Sequence, residues 1–138
     1  MKTLSYKLIL AILIFSICAT GANKTQASQS IADESCDEYV KVDAELNQVY
    51  KQILSEYSAD KQFIIKLKQA QRAWLAFTAA HLAALYPDPK AGAYGSVNRT
   101  CLCIVKTDLT RERIAQLREW LKGTEEGDVC AGSIRRRE

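Results

Sequence analysis

Apolar and near-apolar residues recur at alternating steps of four and three between residues 60 and 86. They are Phe63, Leu67, Ala70, Trp74, Phe77, His81 and Ala84. This spacing places them on one face of an α-helix, while lysines, glutamines and Arg72 occupy the other side. Pro87 cannot continue a helix, so the predicted helix ends at or before Tyr86. An apolar stripe of this length needs other elements to cover it.

The preceding segment carries the same spacing, from Cys36 to about Tyr57. Its apolar positions are Tyr39, Val42, Leu46, Val49 and Ile53. Ser35 and Glu38 are spaced as a capping box, which predicts the start of this first helix. Ser58 or Asp60 can cap the second helix after a very short connection, so the two helices are predicted to pack antiparallel.

A third helical segment is predicted from about residue 96 or 97 to Lys122. Its apolar order changes phase part-way: Val97, Cys101 and Val105 are followed by Ile114, Leu117 and Leu121. The change favours a kink between Thr107 and Thr110, and Gly123 is expected to end the helix. The chain from there to Cys130 is long enough to fold back along the helix. The predicted fold is all-α, a small antiparallel three-helix bundle in one domain, residues 36–130.

Residues 1–27 have the pattern of a cleavable signal peptide. Lys2 and Lys7 precede a ten-residue apolar run, Leu8–Ile17, which is too short to span a bilayer. Cys18 raises lipoprotein processing as an alternative, which the bulky Ile17 before it disfavours. We expect a mature protein in the periplasm or outside the cell, with no membrane span after cleavage. Residues 28–35 then form a polar lead-in, and 131–138 a basic tail.

Export to an oxidising compartment favours disulfides as staples of the bundle. Cys36, Cys101, Cys103 and Cys130 remain after cleavage, and four cysteines allow three pairings. Cys101 and Cys103 point to roughly opposite sides of a helix, so their mutual bond is the least favourable. Cys36 is therefore expected to bond to one of them, and Cys130 to the other or to nothing.

The charge balance argues against nucleic acid as a ligand. The chain has 19 basic and 16 acidic residues, but three of the lysines and none of the acids lie in the first 27 residues. The expected mature chain is therefore neutral, without the basic excess of a nucleic-acid-binding domain. Arg135–Arg137 concentrate positive charge at the C-terminus, so residues 28–134 are mildly acidic and weakly favour a basic partner.

No arrangement of residues predicts an enzyme or a cofactor. The sequence has no Ser-His-acid set, no metalloprotease spacing and no phosphate-binding glycine loop. His81, Cys101 and Cys103 have the chemistry of a soft-metal site, but oxidation of the thiols would remove it, so no metal is expected. His81 alone, on the apolar stripe, is more simply a neutral core residue.

Three stretches together resemble the LprI-type lysozyme-inhibitor family of small exported bacterial proteins. They are DAELNQVYKQIL (43–54), LKQAQRAWLAF (67–77) and GSVNRTCLCIVKTDLTRERIAQLREWL (95–121). The likeness covers residues 36–130 and implies a disulfide-stapled helical domain that inhibits lysozyme without being an enzyme.

The sequence departs from the family after Trp74. Where the family usually has an aromatic residue followed by Arg-Asp-x-x-Cys, this chain has Phe77, Thr78, Ala79, Ala80 and His81. The family's usual bond from the second helix to the start of the third therefore cannot form, and Cys103 is an extra cysteine that can give Cys36 or Cys101 another partner.

The segment 86–96 is the candidate partner-binding loop. Its prolines stiffen it, its glycines allow close backbone approach, and Tyr86, Asp88, Lys90 and Tyr94 supply side chains for contact. Arg72 and Arg113 lie in the family-like motifs and are further candidates, although ion pairing with Glu38, Glu45 or Glu112 is the simpler explanation for them.

The predicted function is binding and inhibition of a lysozyme-like peptidoglycan hydrolase. The alternative is an interaction or immunity module for another envelope protein, with no enzymatic activity. A plain helix connection is the simplest alternative for the loop itself.

Overall fold

The computed structural model of the chain describes residues 19–88, 90 and 92–136, and they form an all-helical domain. The helices are α1 (Ala19–Glu56), α2 (Lys61–Leu85) and α3 (Asn98–Lys122). This confirms the predicted three-helix architecture. Most of the predicted signal peptide, including Cys18, lies outside the described residues. No described helix combines the length and the hydropathy that a membrane crossing requires.

Helix α1 begins earlier than predicted. It runs without a break through the expected lead-in and the expected capping box at Ser35. The lead-in contains no proline, and Ala32 is already buried while Asp33 pairs with Arg99 at 3.0 Å. These contacts with the rest of the domain stabilise the early turns, so a cap at Ser35 is not needed.

Helices α1 and α3 run parallel and form the main packing interface. Three contacts step along both helices in the same order: the Cys36–Cys103 disulfide, Glu38 with Arg111, and Glu45 with Arg118. The core between the helices and the start of α2 is one cluster of nine buried residues. It consists of Val42, Leu46, Val49, Ile53, Tyr57, Phe63, Leu67, Ile114 and Leu117.

Helix α2 turns back antiparallel to both neighbours after a four-residue connection. Asp60 caps it, since its Oδ1 accepts a hydrogen bond from the Phe63 N–H at 2.9 Å. Phe63 lies against Tyr57 and Trp120, with ring centroids 4.6 and 5.8 Å away. Of the two caps proposed from the sequence, the structure uses Asp60.

The buried face of α2 differs from the predicted stripe. Phe63, Leu67, Gln71, Trp74 and Thr78 face the bundle, whereas Ala70, Phe77 and Ala84 are exposed. Phe77 is 53% exposed, so its predicted place in the seam is wrong. The buried face is rotated from the predicted one because Gln71 points inward, where it accepts a hydrogen bond from Arg113. Thr78 can also face inward, since its hydroxyl donates a hydrogen bond to the Trp74 carbonyl.

Helix α3 is continuous, without the restart predicted at Thr110. Thr107 and Thr110 are buried and donate their hydroxyl hydrogens to carbonyls four residues earlier, at 2.8 and 2.7 Å. A threonine bonded in this way can occupy a core position without an unpaired polar group. The apparent change of phase is therefore a run of buried polar residues inside one helix.

The C-terminal segment, residues 123–136, folds back over the end of α1 instead of along α3. Gly123 ends α3 with φ 73°, and the Thr124 N–H donates to the Arg135 carbonyl at 2.9 Å. The Arg135 guanidinium lies 4.0 Å from the Tyr57 ring centroid and donates to the Glu56 carbonyl at 2.9 Å. Helix α1 has no basic residue in its last turn, so Arg135 supplies that charge from the C-terminal segment.

Replacing Arg135 by alanine is expected to lower the free energy of unfolding by about 1 kcal/mol, because one carbonyl contact and one cation–π contact are lost. Urea unfolding of the oxidised protein measures the change. Arg136→Ala is the control, since the Arg136 side chain pairs with the exposed Glu126, and its effect should be below about 0.5 kcal/mol. Equal effects of the two substitutions would contradict this role of Arg135.

Candidate functional site

The connecting loop, residues 86–97, joins α2 to α3 in a series of tight turns. Gly92 and Gly95 adopt φ values of 80° and 74°, which side chains other than glycine rarely tolerate. The Ala93 N–H donates to the Lys90 carbonyl at 3.1 Å, and the Gly95 N–H to the Gly92 carbonyl at 3.0 Å. The loop is thus compact and internally bonded.

Tyr94 connects the second half of the loop to the first through contacts with Asp88 and Tyr86. Its hydroxyl oxygen accepts a hydrogen bond from the Asp88 N–H at 2.6 Å, and its ring meets that of Tyr86 edge-on at 5.2 Å. Asp88 Oδ1 in turn accepts from the Lys90 N–H at 2.9 Å. Four of the predicted contact residues therefore occur together, with Asp88 and Lys90 exposed and the two tyrosines half-buried.

Tyr86 also contacts the first turns of α3 through the free thiol of Cys101. Desolvation raises the pKa of the Tyr86 hydroxyl, and its interaction with the side chain of Cys101 raises it further. The phenol therefore stays protonated at neutral pH and can act as a hydrogen-bond donor.

The structure does not bring the two predicted arginines to the loop. Arg72 is exposed on α2, about 20 Å along the helix from Tyr86 at 1.5 Å per residue. Arg113 is only 8% exposed: its Nε donates to Gln71 and one terminal nitrogen to Gln116, both at 3.0 Å. Burial lowers the pKa of Arg113, with an opposing contribution from Tyr50. Arg113 is an interior packing residue, so its prediction as a partner contact is withdrawn.

One disulfide forms among the four predicted cysteines. Cys36 and Cys103 are bonded, with an S–S distance of 1.97 Å, whereas Cys101 and Cys130 are free. The prediction of disulfides at Cys101 and Cys130 is therefore corrected: the bundle has one staple. A metal site with His81, Cys101 and Cys103 also loses a ligand, because the Cys103 sulfur is already bonded. No cluster of three or more potential metal ligands occurs among the described residues.

A concave surface that the sequence did not predict lies between α1 and α3. This groove has a volume of about 770 Å³. Its charged lining residues are Asp33, Glu34, Asp37, Glu38, Asp108, Lys41 and Arg111. Acidic residues exceed basic ones in the lining of this groove. The closely spaced acidic residues between 33 and 38 are the sequence feature that could have indicated this acidic groove.

A family model described as lysozyme inhibitor LprI matches residues 18–117 of the chain. The protein belongs to the LprI family. The match includes the connecting loop, the disulfide and all of α2. No curated protein and no solved structure gives a significant match to the chain.

Two features distinguish this member of the LprI family. The residues after Phe77, beginning with Thr78 and Ala79, stand where the resemblance leads one to expect Arg-Asp-x-x-Cys, and the rings of Phe77 and His81 lie 5.6 Å apart on α2. The extra Cys103 bonds to Cys36, one of the partners predicted for it. The C-terminal segment that covers Tyr57 lies outside the matched residues.

Proposed function

We propose that this protein is an exported inhibitor of a lysozyme-like peptidoglycan hydrolase and presents the connecting loop to the enzyme. It acts by binding, in the periplasm or outside the cell, and needs no cofactor. Membership of the LprI family is the observation that carries the proposal. The exposed and internally bonded loop supports the choice of contact surface.

The loop has the construction that a tight inhibitor needs. Ordering a flexible segment on binding costs conformational entropy, and a segment already ordered in the free protein avoids most of that cost. The Tyr94–Asp88 and Asp88–Lys90 hydrogen bonds, together with the turns closed by Gly92 and Gly95, order this loop before it meets a partner.

Lys90 is the side chain whose chemistry best suits the active site of a glycoside hydrolase. Such enzymes cleave their substrate between two carboxyl groups. An ammonium placed there forms charge-assisted hydrogen bonds with them. Lys90 is exposed, and it makes no ion pair with the described part of the chain. Its charge is therefore available to a partner.

Charge reversal of Lys90 is expected to weaken inhibition at least about tenfold, because a carboxylate would then oppose the catalytic carboxylates. The measurement is the rate at which lysozyme lyses peptidoglycan in the presence of the oxidised, signal-free protein. Lys66→Glu, an equal change on the exposed face of α2, is the control and should inhibit as the parent does.

The outcomes separate the two parts of the proposal. Absence of inhibition by the parent protein at micromolar excess would count against the inhibitor function. Inhibition that Lys90→Glu leaves unchanged would keep the function and move the contact surface away from the loop.

A different envelope protein is the alternative partner, and one observation favours it. The outer part of α2 exposes Leu75 and Phe77 beside the positions where the family's Arg, acid and Cys are absent. Capture from the native envelope with the oxidised protein as bait tests this. One stoichiometric partner that is not a lysozyme would support the alternative, and recovery of a muramidase would exclude it.

A further inference from the structure

The second half of α2 presents an exposed surface that carries no charge. From Ala73 to Leu85 the helix contains no Asp, Glu, Lys or Arg, and all six of the alanines in this stretch are exposed. Leu75 and Phe77 add larger apolar side chains that are 55% and 53% exposed. The surface is about 20 Å long at 1.5 Å per residue. A helix that is apolar on its outer side as well as its inner side is normally covered by another element, and the described part of the chain does not cover this one.

The charges of α2 are separated along the helix axis. Its basic residues all lie in the first half, it contains no acidic residue, and its last turn has no basic one. Lys66, Lys68 and Arg72 are exposed, and none of them forms an ion pair with the described residues. The C-terminal end of α2 carries the negative partial charge of the helix dipole, and the exposed Asp88 follows it. The uncharged surface therefore lies between a positive end and a negative end.

A second copy of this chain matches this order of charges. If two α2 helices lie antiparallel, the positive end of each meets the negative end of the other, and the two uncharged stretches cover one another. A parallel pair would instead place like charges side by side. The exposed alanines have short side chains, so they leave room for a second helix to pack against α2.

An anionic membrane surface matches the same residues less well. A helix that lies in the lipid interface has an apolar face along its whole length and basic residues on the opposite face. In α2 the basic and the uncharged residues follow one another along the axis instead. The separation of charge along the helix therefore favours a second protein helix over lipid.

We propose that the protein forms a two-fold symmetric dimer through antiparallel contact of the outer faces of α2, with Ala80 at the symmetry axis. Ala80 is exposed near the middle of the uncharged stretch. Arg72 and Asp88 are equally far from Ala80 along the chain, so this register brings Arg72 of each copy to the C-terminal end of the other α2. Each contact occurs twice, as the symmetry requires. The proposal goes beyond inhibition and does not depend on it.

Sedimentation equilibrium of the oxidised, signal-free protein between about 1 µM and 0.5 mM tests the proposal. One pair of helices forms a small interface, so we expect a reversible dimer with a dissociation constant in the micromolar range. Ala80→Glu places two carboxylates together at the axis and should weaken the dimer at least about tenfold. Ala44→Glu makes the same change at an exposed site of α1 and should dimerise as the parent does.

The contact between charged ends has its own test. Arg72→Glu reverses a charge that meets the negative end of the other α2 twice in each dimer, and it should weaken association about tenfold. Lys51→Glu reverses an exposed charge on α1 and is its control. Because all of these sites are exposed, every variant should keep the circular dichroism spectrum and the urea midpoint of the parent monomer.

Cross-linking tests the antiparallel orientation. In the proposed register, position 76 of one copy lies next to position 83 of the other. In a Cys130→Ser background, air oxidation of an equimolar mixture of the Ala76→Cys and Ala83→Cys proteins should therefore form the mixed disulfide dimer faster than either protein cross-links to itself.

Three results would overturn the proposal. They are a monomer at all concentrations up to about 0.5 mM, a dimer that Ala80→Glu leaves unchanged, and cross-linking that is fastest between identical positions. A monomer that binds phosphatidylglycerol vesicles, and loses this binding with Ala80→Glu, would assign the surface to a membrane instead. Since no hydrolase is present, failure of the inhibitor function has no influence on these results.

Discussion

Replacing both Cys36 and Cys103 by serine is expected to lower the free energy of unfolding by about 4 kcal/mol. The two cysteines are 67 residues apart, and closing a loop of that length in the unfolded chain accounts for this magnitude in the chain-entropy model. The bond also joins α1 and α3 within their parallel packing interface. The core cluster of the described chain has nine buried residues, so this loss is a large part of the total stability of the domain.

Urea unfolding followed by circular dichroism measures this loss. The control is Cys130→Ser, which removes an exposed free thiol and should change stability by less than about 0.5 kcal/mol. The parent protein under reducing conditions should unfold like the double serine variant. A loss below about 1 kcal/mol would contradict the structural role assigned to this disulfide.

Replacing Arg113 by alanine is expected to lower the free energy of unfolding by about 3 kcal/mol. The side chain is buried, so the change leaves a cavity and removes the donor that Gln71 Oε1 accepts from inside the bundle. Shortening this residue therefore combines lost packing with the loss of a hydrogen bond to the half-buried Gln71. Urea unfolding of the oxidised protein at neutral pH is the measurement.

Arg113→Met separates packing from charge in the same position. No carboxylate pairs with the guanidinium among the described residues, and one of its terminal nitrogens is buried without a partner. Methionine keeps much of the volume and removes the desolvation cost, so its effect should be about 1 kcal/mol or less. Arg118→Ala, at an exposed ion pair with Glu45, is the surface control. Equal losses for the alanine and methionine variants would show that the charge itself stabilises the domain.

The helices were predictable because their signals are local. Apolar spacing located α2, Asp60 and Pro87 bounded it, and Gly123 ended α3 as expected. The start of α1 and the face of α2 were wrong because both depend on partners elsewhere in the chain. Asp33 near the start of α1 pairs with Arg99 on α3, and Gln71 on α2 accepts a hydrogen bond from Arg113, 42 positions away.

The candidate site divides in the same way. The loop, its tyrosines and Lys90 were recognisable from prolines and glycines that are close together in the sequence. The burial of Asn98 Oδ1 without a partner gave no signal, because an unpaired acceptor is defined only by the neighbours that surround it. The prediction for Arg113 was misleading because arginine is usually exposed, whereas its burial here depends on α2 packing against α3.

The amino-acid sequence by itself determined the helical class, the ends of α2 and the composition of the connecting loop. These depend on spacing, caps and helix-breaking residues within a few positions of one another. Only the tertiary structure decided which cysteine bonds to Cys36, that Arg113 lies inside, and that Asn98 Oδ1 is buried without a partner. Each of these depends on which side chains meet across helices, and that is determined by packing the whole chain at once.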